Sequence, residues 1–122
     1  MSPSHRLVVK CTSGTDSPER CSQAFTVAAT ALAAGAEVSL WLTGEAVWLA
    51  VAGRAEAFEL PHSAPLADLR DAILAEGRVT VCTQCAARRG LGPDDLLPDV
   101  RIAGSASFVD EVLSEATQAL VY

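Results

Sequence analysis

The segment Val79-Thr80-Val81-Cys82-Thr83-Gln84-Cys85-Ala86-Ala87-Arg88-Arg89-Gly90 holds the residues of this chain best suited to chemistry. A β-branched run stops at Cys82, a second cysteine follows three positions later, and two arginines and a glycine close one or two helical turns. A cysteine placed there leaves a buried strand and enters a helix. Unpaired backbone N–H groups and the positive end of the helix dipole favour a thiolate at such a junction. The thiolate is the nucleophilic form, so Cys82 is the candidate reactive residue. Cys85, in the first turn of the same helix, is either a resolving thiol or a residue facing the core or a subunit contact. Lys10, Arg88 and Arg89 are candidates to lower a thiol pKa or to hold an anionic substrate; charges at element ends are otherwise simply solvated.

Cys82-Thr83-Gln84-Cys85 also matches the C-x-x-C pattern of thiol-disulfide oxidoreductases, which sits at a strand-to-helix junction. No Trp-Cys start accompanies it, and no partner cis-proline loop is evident. A tetrahedral zinc site would need two further ligands. Cys11, Cys21 and His62 could supply them only by converging from three segments. Cys11 is explained by core alternation with Leu7 and Val9, and Cys21 by a buried helical stripe. No metal and no other cofactor is expected. His5 and His62 read as surface residues, and Trp41 and Trp48 as core or subunit-contact residues. The loop Ser13-Gly14-Thr15-Asp16-Ser17 lacks the glycine-rich phosphate-binding patterns, and Asp16 and Glu19 would repel phosphate. It reads as a capping turn.

The elements that must position these residues follow from periodicity. Residues 6–11 form a first strand. Ser17 and Pro18 give an N-cap followed by proline at the first helical position. The helix then runs to Ala34, with Gly35 as its stop and Cys21, Phe25, Ala28 and Leu32 as its buried stripe. Residues 37–42 form a second strand, 44–52 a short helix ended by Gly53, and 54–65 mostly loop. A third helix spans 65–76, with Leu66, Leu69 and Ile73 inward and Gly77 as its stop. Residues 78–82 form a strand apolar enough for burial on both faces. A short helix spans 83–89, a turn surrounds Pro93-Asp94-Asp95, and a brief strand covers 100–103. A helix capped by Ser105 or Ser107 carries Phe108, Val109, Val112 and Leu113, and a fifth strand covers 117–122. Alternating strands and helices imply right-handed crossovers. The expected fold is one α/β domain over 1–122, a three-layer α/β/α sandwich around a mostly parallel five-stranded sheet. Reactive groups in such sheets collect beyond the carboxyl ends of the strands, where Cys11, Thr43-Gly44 and Cys82 all fall.

The 122 residues suffice for a core without metal or disulfide staples, and half of them are apolar. A net charge of −6 argues against a nucleic-acid partner and against attachment to an anionic membrane. No run reaches the length of a membrane span, and the first residues do not read as a signal peptide. A cytoplasmic protein is expected, in which four cysteines are thiols rather than structural disulfides.

With these residues in place, the sequence resembles the DsrE/DsrF-like family of small sulfur-relay proteins. The likeness rests on the early strand, Thr15-Asp16-Ser17-Pro18-Glu19-Arg20 and the alanine-rich helix. It continues through 35–45 (GAEVSLWLTGE), Val81-Cys82 with Arg88-Arg89-Gly90, and Ile102-Ala103-Gly104 with Phe108-Val109. It implies an α/β/α fold and a trimeric or hexameric homo-oligomer. It also implies a carrier that holds sulfur as a persulfide on Cys82 and passes it between donor and acceptor proteins. Cys85 is an addition to the family pattern. A thiol-disulfide redox protein, a ligand- or metal-binding module and a non-catalytic oligomeric subunit are the alternatives.

Overall fold

Strand β1 (Arg6–Cys11) leads into helix α1 (Pro18–Ala33), strand β2 (Glu37–Leu42) and a 3-10 helix (Gly44–Ala50) in the computed structural model, which describes residues 5–122. Helix α2 (Leu66–Glu76), strand β3 (Arg78–Cys82) and the short helix α3 (Thr83–Arg88) follow. Strand β4 (Arg101–Ala103), helix α4 (Ser105–Val112) and strand β5 (Thr117–Val121) complete the chain. The five strands form one sheet in the order β4-β3-β2-β1-β5, and every pairing is parallel.

That order decides which face each helix covers. The steps β1→β2, β2→β3 and β3→β4 move the same way across the sheet, so right-handed crossovers place α1, α2 and α3 on one face. The step β4→β5 returns across the whole sheet and places α4 alone on the other. The main core lies under α1 and α2, where Val9, Cys11, Leu40, Leu42, Val79 and Val81 meet Cys21, Phe25, Ala28, Leu66 and Ile73. These strand residues alternate with Val8, Ser39, Trp41 and Thr80, which face α4. Val79, Thr80 and Val81 are all buried, as a strand covered on both sides requires.

Several boundaries differ in detail from expectation. Ser17 occupies the N-cap of α1, but its side chain makes no capping bond. The turn is closed instead by Ser17 N–H donating to Gly14 O at 3.1 Å and Gly14 N–H donating to Asp16 Oδ1 at 2.7 Å. Gly104, not Ser105 or Ser107, is the N-cap of α4, because the chain stays extended for one residue beyond β4. Residues 44–50 adopt the tighter 3-10 winding rather than an α-helix. Leu69 is only half-buried; Arg70 takes the inward position and pairs with Glu56 through both oxygens, at 2.8 and 3.0 Å. Helix α4 and strand β5 leave Val109, Leu113, Leu120 and Val121 exposed.

Candidate functional site

Cys82 ends β3 and is the N-cap residue of α3, with extended backbone (φ −64°, ψ 128°). The sequence favours this junction: a β-branched strand runs into a short segment ending in Ala86, Ala87 and Arg88, good helix formers, that Gly90 stops, at φ +68°. Because α3 has only six residues, local N–H groups rather than a long macrodipole carry its electrostatic effect. Cys82 is half-buried and is the most accessible of the four free cysteines. Burial pushes its thiol up, but the N–H of Cys85, the Cys85 thiol, the N–H of Gln84 and the charge of Lys10 outweigh it. The group is held below its ordinary value. Protonated, the Cys82 thiol donates to Gln84 Oε1 at 3.4 Å.

Cys85 lies one turn into α3, three residues past the N-cap cysteine, with 9% of its surface exposed, and its thiol helps hold the Cys82 thiol down. The C-x-x-C sulfurs are therefore neighbours. The two arginines separate in role. Arg89 Nε donates to Glu45 Oε2 at 2.7 Å, and Arg89 Nη1 donates to the Cys85 carbonyl at 3.0 Å. Arg89 thus ties α3 to the 3-10 helix. Arg88 stays exposed, with Nη1 4.0 Å from Cys85 Sγ.

Glu45 is itself placed by a close approach of two rim loops. Gly44 sits at φ +55°, and a Cβ there would stand 2.7 Å from the Thr12 carbonyl. Only glycine permits both the conformation and the contact. The Thr43-Gly44 rim and the Cys82 junction are thereby linked through Glu45 and Arg89.

Cys11 and Cys21 do not join this site. Both are 0% exposed in the core under α1. Cys11 Sγ donates to the Ser13 carbonyl at 3.2 Å. The hydrogen bond to Cys11, together with burial, pushes the Cys21 thiol far above the ordinary range. His62 is exposed in the loop before α2. Among the described residues, no group of three or more His, Cys, Asp or Glu side chains is arranged to hold a metal ion. No described helix is long and apolar enough to cross a membrane.

A cluster on the α4 face escaped the sequence reading. Lys10, Trp41, Thr80 and Arg101 lie in register across four strands. Phe108 meets Trp41 edge-on at 5.3 Å between ring centroids, and Lys10 Nζ sits 5.0 Å from the Phe108 centroid. Glu111 accepts from Ser39, from Trp41 Nε1 at 3.2 Å and from Arg101. The alternation of Ser39 and Trp41 with Val38, Leu40 and Leu42 was the available signal that β2 has a second, partly polar face. Strand alternation beyond Thr80 puts Cys82 on this same face.

A model of the DsrE/DsrF-like family matches residues 5–121. No curated protein matches the chain by sequence. Among solved structures, the ychN protein from E. coli superposes with a TM-score of 0.80 at 16% identity, covering 97% of this chain and 99% of that one. MTH1491 from Methanobacterium thermoautotrophicum, described as a protein of unknown function, gives 0.71 at 15% identity, with 97% and 99% covered. At such identities the likeness establishes the parallel α/β fold.

Proposed function

For a chain that belongs to the DsrE/DsrF-like family, we propose that Cys82 carries sulfane sulfur as a persulfide and hands it to an acceptor thiol. One observation carries this reading: Cys82 is the accessible thiol of the chain, and it sits where donors and positive charge favour its anion. The Cys82 thiolate attacks the outer sulfur of a donor persulfide. One S–S bond forms as another breaks, and the donor leaves as its thiolate. An acceptor thiolate then attacks the outer sulfur of Cys82–S–SH, takes it, and restores the Cys82 thiolate. The sulfur moves without net oxidation, and no cofactor enters.

Neighbouring groups support the same chemistry. Arg88, exposed beside Cys85, meets anionic donor or acceptor partners, while Arg89 holds α3 in place. Cys85 is near enough to attack the inner sulfur of the persulfide, which would expel hydrosulfide and close a Cys82–Cys85 disulfide. A dithiol reductant then restores both thiols. The exposed Val109, Leu113, Leu120 and Val121 favour a second copy of the chain against α4 and the β5 edge, in line with a trimer or hexamer. A soluble, cytoplasmic location fits a thiol-based carrier.

A redox protein working through the C-x-x-C disulfide is the second reading, favoured by the proximity of the two sulfurs. Cyanide separates the two. It removes the outer sulfur of a persulfide as thiocyanate and regenerates the thiol, whereas a protein disulfide yields no thiocyanate. Cys85→Ser protein, in which the reset disulfide cannot form, is expected to release one thiocyanate per chain after polysulfide treatment and desalting. Release of none would refute the carrier.

A further inference from the structure

Lys10 is the only lysine of the chain. It lies on β1, half-buried, on the α4 face of the sheet. Two arginines nearby are committed, Arg101 to Glu111 and Thr80 and Arg89 to Glu45 and the Cys85 carbonyl, while Arg88 is exposed beside Cys85 on α3. No carboxylate pairs with Lys10 among the described residues. Its ammonium group is instead held at the Phe108 ring, and Phe108 is fixed by its edge contact with Trp41. A half-buried ammonium without a carboxylate partner is unusual, because desolvation is otherwise uncompensated.

The register shows which residues share the face. Lys10 pairs with Trp41, and Trp41 with Thr80. The next residue of β3 on that face, toward the carboxyl edge, is Cys82. An aromatic contact suits a lysine that must stay charged and yet remain free of a permanent anion.

We propose that Lys10 is a positioning residue whose ammonium group, steadied by Phe108, is the counter-charge for the sulfur anion formed at Cys82. The proposal rests on the persulfide reading for the identity of that anion, but its electrostatic part holds for the bare thiolate too. The titratable and charged groups around Cys82 are Lys10 from β1, Cys85 and, beside Cys85, Arg88 from α3, and, deeper on the α4 face, the Arg101–Glu111 pair. Of these, Lys10 is the cation on the cysteine's own face that no carboxylate neutralises. The charge of Lys10 acts to lower the Cys82 thiol.

Two measurements test this. Alkylation of Cys82 by iodoacetamide, followed against pH with peptide mapping, gives the ionisation midpoint in wild type, Lys10→Met and Lys10→Arg. Loss of the charge should lower the thiolate fraction at neutral pH about threefold, with rescue by arginine. Added salt should raise the wild-type midpoint by more than that of Lys10→Met. The second measurement needs no variant at Lys10. Reductive methylation with carbon-13 labels this one lysine, whose signal should inflect at the Cys82 midpoint and lose that inflection in Cys82→Ser. A midpoint unchanged in Lys10→Met, or a lysine signal blind to Cys82, overturns the role of Lys10. Sulfur uptake by Cys85→Ser, in which the reset disulfide cannot form, is scored separately. Uptake with an unmoved midpoint leaves the carrier standing and removes Lys10. A shifted midpoint without uptake keeps Lys10 as the thiolate's counter-charge and removes the persulfide.

Discussion

Arg89→Met severs the link between α3 and the 3-10 helix, and its cost can be worked out from two contacts. The pair with Glu45 has side chains 21% and 44% exposed, so solvent screening limits it to about 0.5–1 kcal/mol. The bond from the guanidinium to the Cys85 carbonyl is charge-assisted and less exposed, and contributes about 1.5 kcal/mol. Arg89→Met should therefore destabilise the protein by about 2 kcal/mol, lowering Tm by roughly 8 °C for a domain of this size. Glu45→Gln keeps an acceptor and loses only the charge, so it should cost about 0.5 kcal/mol. Urea unfolding followed by tryptophan fluorescence measures both, with Trp48 inside the 3-10 helix as a local probe. A stability of Arg89→Met within about 0.5 kcal/mol of wild type would refute the reasoning. Packing of Cys85 and Ala86 alone would then hold α3 in place.

Three more outcomes are expected. Gly44→Ala should cost about 2–4 kcal/mol, combining left-handed strain with the 2.7 Å clash at Thr12 O. Gly53→Ala, at φ +85° with open space around it, should cost only about 1–2 kcal/mol; equal costs would show that the rim loops yield. Burial pushes the Glu111 carboxyl up, but Ser39, Arg101 and Trp41 outweigh it and leave it below its ordinary value. Its stabilisation is therefore complete above the unfolded glutamate pKa of about 4.3 and is lost as pH falls through the lower folded value. Denaturation from pH 6 to pH 3 should show a smaller acid loss in Glu111→Gln than in wild type, and parallel curves would contradict the linkage. Light scattering coupled to size exclusion should find a trimer or hexamer, and Leu113→Glu, on the exposed face of α4, should shift it toward smaller species; a wild-type monomer would oppose this.

The β3–α3 junction was legible because its signals are local: a β-branched run, a cysteine at its end, and a glycine a few residues later that needs positive φ. The buried stripe Cys21, Phe25 and Ala28 was legible for the same reason, as one helical face. What sequence could not give was partnership at long range. Arg88 and Arg89 look equivalent along the chain, yet Arg89 reaches Glu45, 44 positions away, and Arg88 does not. Lys10 and Cys82 share one face only because β1, β2 and β3 stand side by side in register. The Glu111 cluster depends on β5 returning across the sheet to pair with β1, which puts α4 opposite the other helices. Seventy residues separate Glu111 from Trp41, and no local pattern encodes that contact.

Sulfur loading on Cys82 is tested most directly by intact mass after incubation with polysulfide, comparing wild type, Cys82→Ser and Cys85→Ser. Wild type and Cys85→Ser should each gain the mass of one sulfur atom, localised to the peptide containing Cys82, and Cys82→Ser should gain none. Uptake by Cys82→Ser equal to that of wild type would contradict the account. So would a Cys85→Ser variant that gains no sulfur, the reset to a Cys82–Cys85 disulfide being closed to it.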